Sequence, residues 1–328
     1  MNNKKKLIII TSIIIIAIIS SIFIIKNLQK KEDIPDEKKE VIKENIHPLM
    51  YEITKEGSNN KIYLFGSIHL ADTNKLNFPE YIINAYNNSD YIACEFDIVE
   101  YQNNQEEALK MIQEMIYTDE TTIKDHLEKN TYDKLVNFLK DRGMYSEIYD
   151  VYKPMFFQSL ITTIMSNDTK LKANDGIDLY FLNKAKKDQK KILEIESSDY
   201  QTKLLSNLPD KLYDLMISDL IDNYDEEVNS LKELYNAWKT GNIEKIIEES
   251  NEELDIKSNY TQEEINIIKD YNKKLIDDRN ITMTKKLEEY FNNNYHTFYM
   301  VGAAHLVSDK GIAHLLKEKG YIVKQIST

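Results

Sequence analysis

The chain has 328 residues, a formal net charge of −13 and only 8 glycines and 5 prolines. Its length can support a sizeable core, and the scarcity of turn residues favours long helices over hairpins. The acidic balance excludes a nucleic-acid surface, which needs clustered Lys and Arg; Cys94, the single cysteine, excludes an intrachain disulfide and a cysteine-built zinc site.

In chain order, residues 7–25 are almost wholly apolar and follow Lys4, Lys5 and Lys6. About 20 such residues cross a bilayer as a helix. A cleaved signal peptide is the rival, but its apolar core is shorter, and Ser20-Ser21 makes a poor cleavage site. The segment reads as an uncleaved anchor, single-pass, with the basic N-terminus in the cytoplasm and the body outside the cell membrane. Lys26, Lys30 and Lys31 flank the other end and count against that orientation. The division expected is residues 1–29 as anchor, 30–45 as a charged, solvated linker, and 46–328 as one domain.

Residues 48–54 and 61–65 read as strands around Gly57-Ser58-Asn59-Asn60, a hairpin signal. A helix is expected over about 79–88 and a strand over 91–94, with Glu95 at its C-terminal end. From 105 to 291 the pattern is mostly helical. Gly143 and Gly241 close helices, Lys153-Pro154 and Pro209 precede them, and Gly176-Ile177-Asp178 opens one with a carboxylate in its first turn. Residues 191–195 read as a strand ending in Glu196. Thr261-Gln262-Glu263-Glu264 is a capping-box pattern for a long helix carrying Arg279.

One unit occurs twice. Ile62-Tyr63-Leu64-Phe65 runs into Gly66-Ser67-Ile68-His69, and Phe298-Tyr299-Met300-Val301 runs into Gly302-Ala303-Ala304-His305. Each G-x-x-H is followed by Leu, a helix-like segment and a second apolar run opening Tyr-Ile, at Tyr91 and Tyr321. Aligning those tyrosines puts Glu95 opposite Gln325, which points to one asymmetric site rather than two. The glycines Gly66 and Gly302 are read as allowing a tight exit from each strand.

His69, Glu95, Glu196 and His305 thus follow the C-terminal ends of four expected strands, where open α/β sheets bind ligands. Imidazoles and carboxylates converging there could hold a divalent metal and activate water. A single G-x-x-H is a weak signal, and each His alone is more often a packing residue than a ligand. Two copies in matched contexts raise the functional reading. The bland reading of Glu95 and Glu196 is a structural salt bridge, for instance to Arg279, and that of Asp178 is a helix N-terminal carboxylate. H-E-x-x-H, G-x-S-x-G, the P-loop and G-x-G-x-x-G are all absent.

On these motifs the chain resembles the TraB/GumN/TIKI family, also called the pheromone-shutdown family, from about Leu49 to the C-terminus. The matching residues are His69, Glu95, Lys153-Pro154, Gly176-Ile177-Asp178, Ile195-Glu196 with Gln201, Arg279-Asn280, and Val301 to Leu306. Ser67 stands where the family often has Thr, so a hydroxyl is kept. The resemblance implies an α+β fold with two β-containing halves around a shared cleft and a large helical insertion. It implies a metal-dependent peptidase acting on peptides or secreted proteins with manganese or cobalt, as in TIKI proteins; zinc is the other candidate ion. It also implies kinship to erythromycin esterase-like and haem-binding proteins. The expected metal ligands and catalytic residues are His69, Glu95 and His305, supported by Asp178, Glu196, Arg279, Gly66 and Gly302. The competing expectation is a non-catalytic protein that sequesters a peptide or haem in the same cleft.

Overall fold

The structure, a computed structural model, describes residues 43–250 and 260–327. The expected anchor over residues 7–25 and most of the expected linker lie outside the described residues. Among the described residues no helix is long and apolar enough to cross a membrane.

The strands form where the sequence carries short runs of Ile, Val, Tyr and Phe. In chain order they are β1 (Glu44–Asn45), β2 (Met50–Thr54), β3 (Ile62–Ser67), β4 (Leu76–Asn77), β5 (Tyr91–Cys94), β6 (Lys191–Glu194), β7 (Thr297–Gly302) and β8 (Ile322–Gln325). β1 and β4 make a small parallel pair, so the last residues of the expected linker already belong to the folded body. The rest form one mixed sheet in the order β6-β5-β7-β3-β2-β8. β3, β5, β6 and β7 are mutually parallel, and β2 runs antiparallel to both its neighbours.

The two G-x-x-H units do not build separate halves. Their first strands, β3 and β7, lie side by side in the sheet, Phe65 opposite Met300 and Ser67 opposite Gly302. From there the chain steps in opposite directions. β3 leads through the helix Glu80–Asn87 across β7 to β5, and β7 leads through the helix Ile312–Glu318 across β3 and β2 to β8. Right-handed crossovers that step in opposite directions put their helices on opposite faces. The alternation of side chains matches: Phe65, Phe298 and Met300 pack with Ile82 and Tyr86 on one face. Leu64, Tyr299 and Val301 pack with Ile312 and Leu316 on the other. The correction to the expected two halves is therefore one α+β sheet with interleaved units, and the cleft lies at the shared C-terminal edge of β3 and β7. Gln325 ends up on the outer strand, paired with Tyr51.

The helical insertion caps that edge. Pro154–Thr169 begins with a proline at its first turn, where no N–H is lost, and its buried side chains extend the core beside the Phe65 face. Tyr224–Thr240 ends at Gly241 with φ +63, a left-handed cap. Thr261 and Glu264 form the expected capping box at the start of Gln262–Asn272. That helix continues through a π-helical turn, Lys273–Asp277, into Asp278–Asn292. Such turns are frequent at functional sites, and this one precedes Arg279 directly.

Candidate active site

β5 and β6 end in register, and their pairing runs on: Glu196 N donates to Glu95 O at 2.8 Å. Two carboxylates thus leave adjacent parallel strands side by side. Like charges at that spacing are unstable when buried unless a cation joins them, and Arg279 does so. Its Nη2 donates to Glu95 Oε2 at 2.6 Å and Glu196 Oε2 at 2.8 Å, and its Nε to Glu196 Oε1 at 3.0 Å. Gln201 Nε2 donates to both glutamates, at 2.9 and 2.8 Å. Burial opposes the charge on Glu95, but Arg279 foremost, then His305 and His69, holds its carboxyl well below the usual carboxylate range. Burial likewise opposes the charge on Arg279, and Glu95 and Glu196 outweigh it, raising its pKa.

His69 follows β3 on a short loop. Its Nδ1 lies 2.8 Å from Asp178 Oδ2, while Ser67 Oγ donates to Asp178 Oδ1 at 2.7 Å. The helix Ile177–Lys187 brings Asp178 this close because Gly176 has no side chain: a Cβ there would fall 2.3 Å from His69 O. Burial penalises the imidazolium, but Asp178 outweighs it and lifts the pKa of His69 to about 9. His69 is a cation at neutral pH.

His305 sits in the short 3-10 turn after β7 and is buried. Its Nδ1 lies 2.7 Å from Asn280 Oδ1, and Asn280 Nδ2 donates to Lys310 O, which fixes the amide so that its oxygen faces the ring. His305 therefore carries its proton on Nδ1 and a lone pair on Nε2. Burial first, and the nearby Arg279 second, push its pKa down to about 3.

The structure brings His69, Glu95, Arg279, Gly302 and His305 to one pocket, walled by Leu234, Trp238, Leu275 and Ile276. Trp238 Nε1 donates to Gly66 O at 2.8 Å, tying the insertion to the end of β3. Asp178 and Glu196 act from behind, through His69 and Arg279. The two glycines serve differently from the expected tight exits. Gly66 is the second-last residue of β3, and a Cβ there would meet Ala303 at 3.1 Å; Gly302 has only ordinary contacts, 3.7 Å to Glu95 Oε1 and to His305 Cδ2. Gly302 N donates to Glu95 Oε1 at 3.1 Å. Trp238, Leu275 and Ile276 could not be assigned to the site from sequence, because nothing in their spacing marks them; Asn280 and Gln201 carried a signal only through the resemblance.

Whether these residues suit a divalent ion can be judged from the donors. Two imidazoles with anchored Nδ1 atoms, and with Nε2 atoms that have no hydrogen-bond partner among the described residues, are half of a metal centre. The carboxylate half is engaged elsewhere: Glu95 Oε2 accepts from Arg279 and Gln201, and its Oε1 from Gly302 N. Among the described residues no group of three or more His, Cys, Asp or Glu is arranged to hold a metal. The set as it stands does not fit the expected three-residue centre of His69, Glu95 and His305. It does suit proton transfer, because two histidines in one pocket have environments that drive their pKa values apart.

The chain is similar to the uncharacterised protein YbaP of Escherichia coli (strain K12), with 20% identity over 270 residues covering 81% of this chain and 91% of YbaP. The Shigella flexneri YbaP gives the same figures. No solved structure matches the chain. Residues 49–325, which begin just before β2 and end with β8 and so include both G-x-x-H units, match the TraB/PrgY/gumN family, and the chain belongs to that family.

Proposed function

We propose that the protein is a hydrolase that cleaves peptide bonds with a pair of histidines. The observation that carries this reading is the meeting of His69 and His305 in one pocket, each fixed through Nδ1 and each with Nε2 free of hydrogen-bond partners among the described residues. Peptide is the substrate class implied by the resemblance to TIKI-type proteins. A water between the rings gives its proton to His305 Nε2 as its oxygen bonds to the carbonyl carbon. His69 Nε2–H then donates to the amide nitrogen as the C–N bond breaks, releasing an acid and an amine. The proton that His305 gained returns to His69 through solvent. Glu95 serves as the counter-charge to the His305 imidazolium, since its Oε1 and the His305 ring flank Gly302. A placed acid or base contributes about 10²–10⁴-fold in rate when its pKa lies near the working pH, and Glu95 acts in that direction on His305 by raising its pKa against burial and Arg279.

The test is turnover of an unbiased peptide library by the full chain in detergent, with and without a strong chelator. Cleavage that survives chelation and is lost in His305→Ala and His69→Ala supports the histidine pair. Cleavage that vanishes on chelation and returns with manganese, cobalt or zinc would replace it with the metal-dependent form expected from the sequence. Peptide or haem binding with no cleavage under any condition would favour the sequestering protein.

The same reading places the body outside the cell membrane, tethered by residues 7–25. Its support is the apolar run and the lysines before it. Protease added to intact cells should remove the body; a body protected until lysis would overturn the orientation.

A further inference from the structure

The apolar wall of the His305 pocket has no free donor of its own. Leu234 and Trp238 come to it from the helix Tyr224–Thr240, and Leu275 and Ile276 from the π-helical turn Lys273–Asp277. The wall's one polar side-chain atom, Trp238 Nε1, is bonded to Gly66 O. The cavity is small, about 50 Å³; one water needs about 10–15 Å³, so there is room for about four groups of that size. A donor is left over at its edge. Arg279 lines the pocket, is 3% exposed, and carries N–H groups on all three guanidinium nitrogens. Nε and Nη2 donate to Glu95 and Glu196, and Nη1 donates to Leu275 O at 3.3 Å. The second N–H of Nη1 has no partner among the described residues, and a buried donor left unbonded is costly.

We infer that this pocket holds one valine-sized residue of a peptide, its aliphatic side chain against the wall and its carbonyl oxygen on Arg279 Nη1. The inference rests on the proposed function only in taking a peptide as the ligand, and the binding depends on the protonation of neither histidine. Size and polarity select together. The three side-chain carbons of valine and one oxygen match the space. Glycine leaves the wall uncovered, and the ring of phenylalanine exceeds the room beside it. A charged side chain would lose its hydration against four apolar groups, with Glu95 and Glu196 already bonded to Arg279. A carbonyl suits Arg279 better than a carboxylate, because two glutamates already surround the guanidinium and a third anion would be in excess. Leu275 serves both halves of the contact: its side chain is part of the wall, and its carbonyl fixes the direction of Nη1.

The experiment titrates the full chain in detergent with N-acetylated amino-acid amides, beside the library digest. It reads the emission of Trp238, the single tryptophan, and ligand-observed NMR against a blank of micelles. N-acetylvalinamide should bind about tenfold or more tighter than N-acetylglycinamide, because three further carbons leave water, and tighter than N-acetylphenylalaninamide. N-(1,2-dimethylpropyl)acetamide keeps the isopropyl group and has methyl in place of the carboxamide. It should bind about tenfold more weakly than N-acetylvalinamide, for want of a hydrogen bond from a charged donor. Ile276→Ala and Leu234→Ala each enlarge the cavity and should move the preference toward N-acetylphenylalaninamide; one folded variant suffices. Equal binding of the valine and glycine amides would overturn the assignment. So would a phenylalanine amide that binds the unaltered chain as tightly as the valine amide, or a valine preference that a folded variant does not move. Equal binding of the compound lacking the carboxamide would overturn the contact with Arg279. The valine preference in a chain that cleaves no peptide would uphold the pocket and sink the hydrolase reading, whereas cleavage by a chain that binds the valine and glycine amides equally would do the reverse.

Discussion

At the residue scale the site is governed by one buried cation among two carboxylates. Arg279 is 3% exposed and Glu95 5% exposed, so neither charge can be left to solvent. Removing one member of such a buried set typically costs about 3–5 kcal/mol, because it strands the other charges. Arg279→Met should therefore lose stability of that order in urea titrations. Arg279→Lys should recover little, since an ammonium cannot reproduce the forked contact with Glu196 and Glu95. The His69–Asp178 pair makes a separate prediction about pH. The folded pKa of His69 is raised from 6.5 to about 9, so the stability it brings is fully present below pH 6.5 and is lost as pH rises to about 9. The melting temperature of Asp178→Asn should accordingly fall less than that of the unaltered chain between pH 6.5 and 9. Parallel curves would show that the pair does not titrate. His305 acts at the other end: its folded pKa is lowered to about 3, so protonation of the unfolded chain erodes stability as pH falls below 6.5.

At the element scale the site depends on how closely two segments approach. The helix Ile177–Lys187 starts against the loop after β3, with Ile177 N donating to Ile68 O at 3.0 Å and Gly176 against His69 O. Gly176→Ala would have to push the helix away, because the obstacle is backbone and cannot rotate aside. The expected result is an NMR titration in which His69 moves from about 9 back toward 6.5. Gly302→Ala is the contrast. Its added methyl meets only ordinary contacts at 3.7 Å, so it should fold with stability near that of the parent chain; a collapse of stability would show that the end of β7 is tighter than its geometry indicates.

At the scale of the whole molecule, the insertion between β5 and β7 supplies Asp178, Glu196, Trp238 and Arg279 to a site whose histidines come from β3 and β7. The edge of one sheet and the helices that cap it therefore act as one unit. The single tryptophan sits at their junction, bonded to Gly66 O. Peptide binding in the His305 pocket should shift the emission of Trp238, and His305→Ala should retain that shift while losing cleavage. A variant that loses both has lost the pocket, and the roles assigned to the two rings would not be separable by it.

The local part of this was legible in the sequence. Strand runs such as Ile62–Phe65 and Phe298–Val301, the capping box at Thr261, the helix stop at Gly241 and the repeated G-x-x-H depend on neighbours a few residues apart, and each lies where the pattern put it. Parallel direction in the sheet then carries His69, Glu95, Glu196 and His305 to one edge, which strand ends alone could suggest. What spacing could not supply was strand order, since hydrophobic alternation says which face a residue takes but not which strand lies beside it. Order made β3 and β7 neighbours, replaced two halves with one sheet, and set Glu95 beside Glu196. Protonation was also out of reach: burial and Arg279 lower the pKa of both histidines in the matching motifs, and only His69 has a carboxylate, Asp178, bonded to its ring to outweigh them. Those partners are far away in the chain and meet only in the tertiary structure, where burial makes each charge depend on its neighbour.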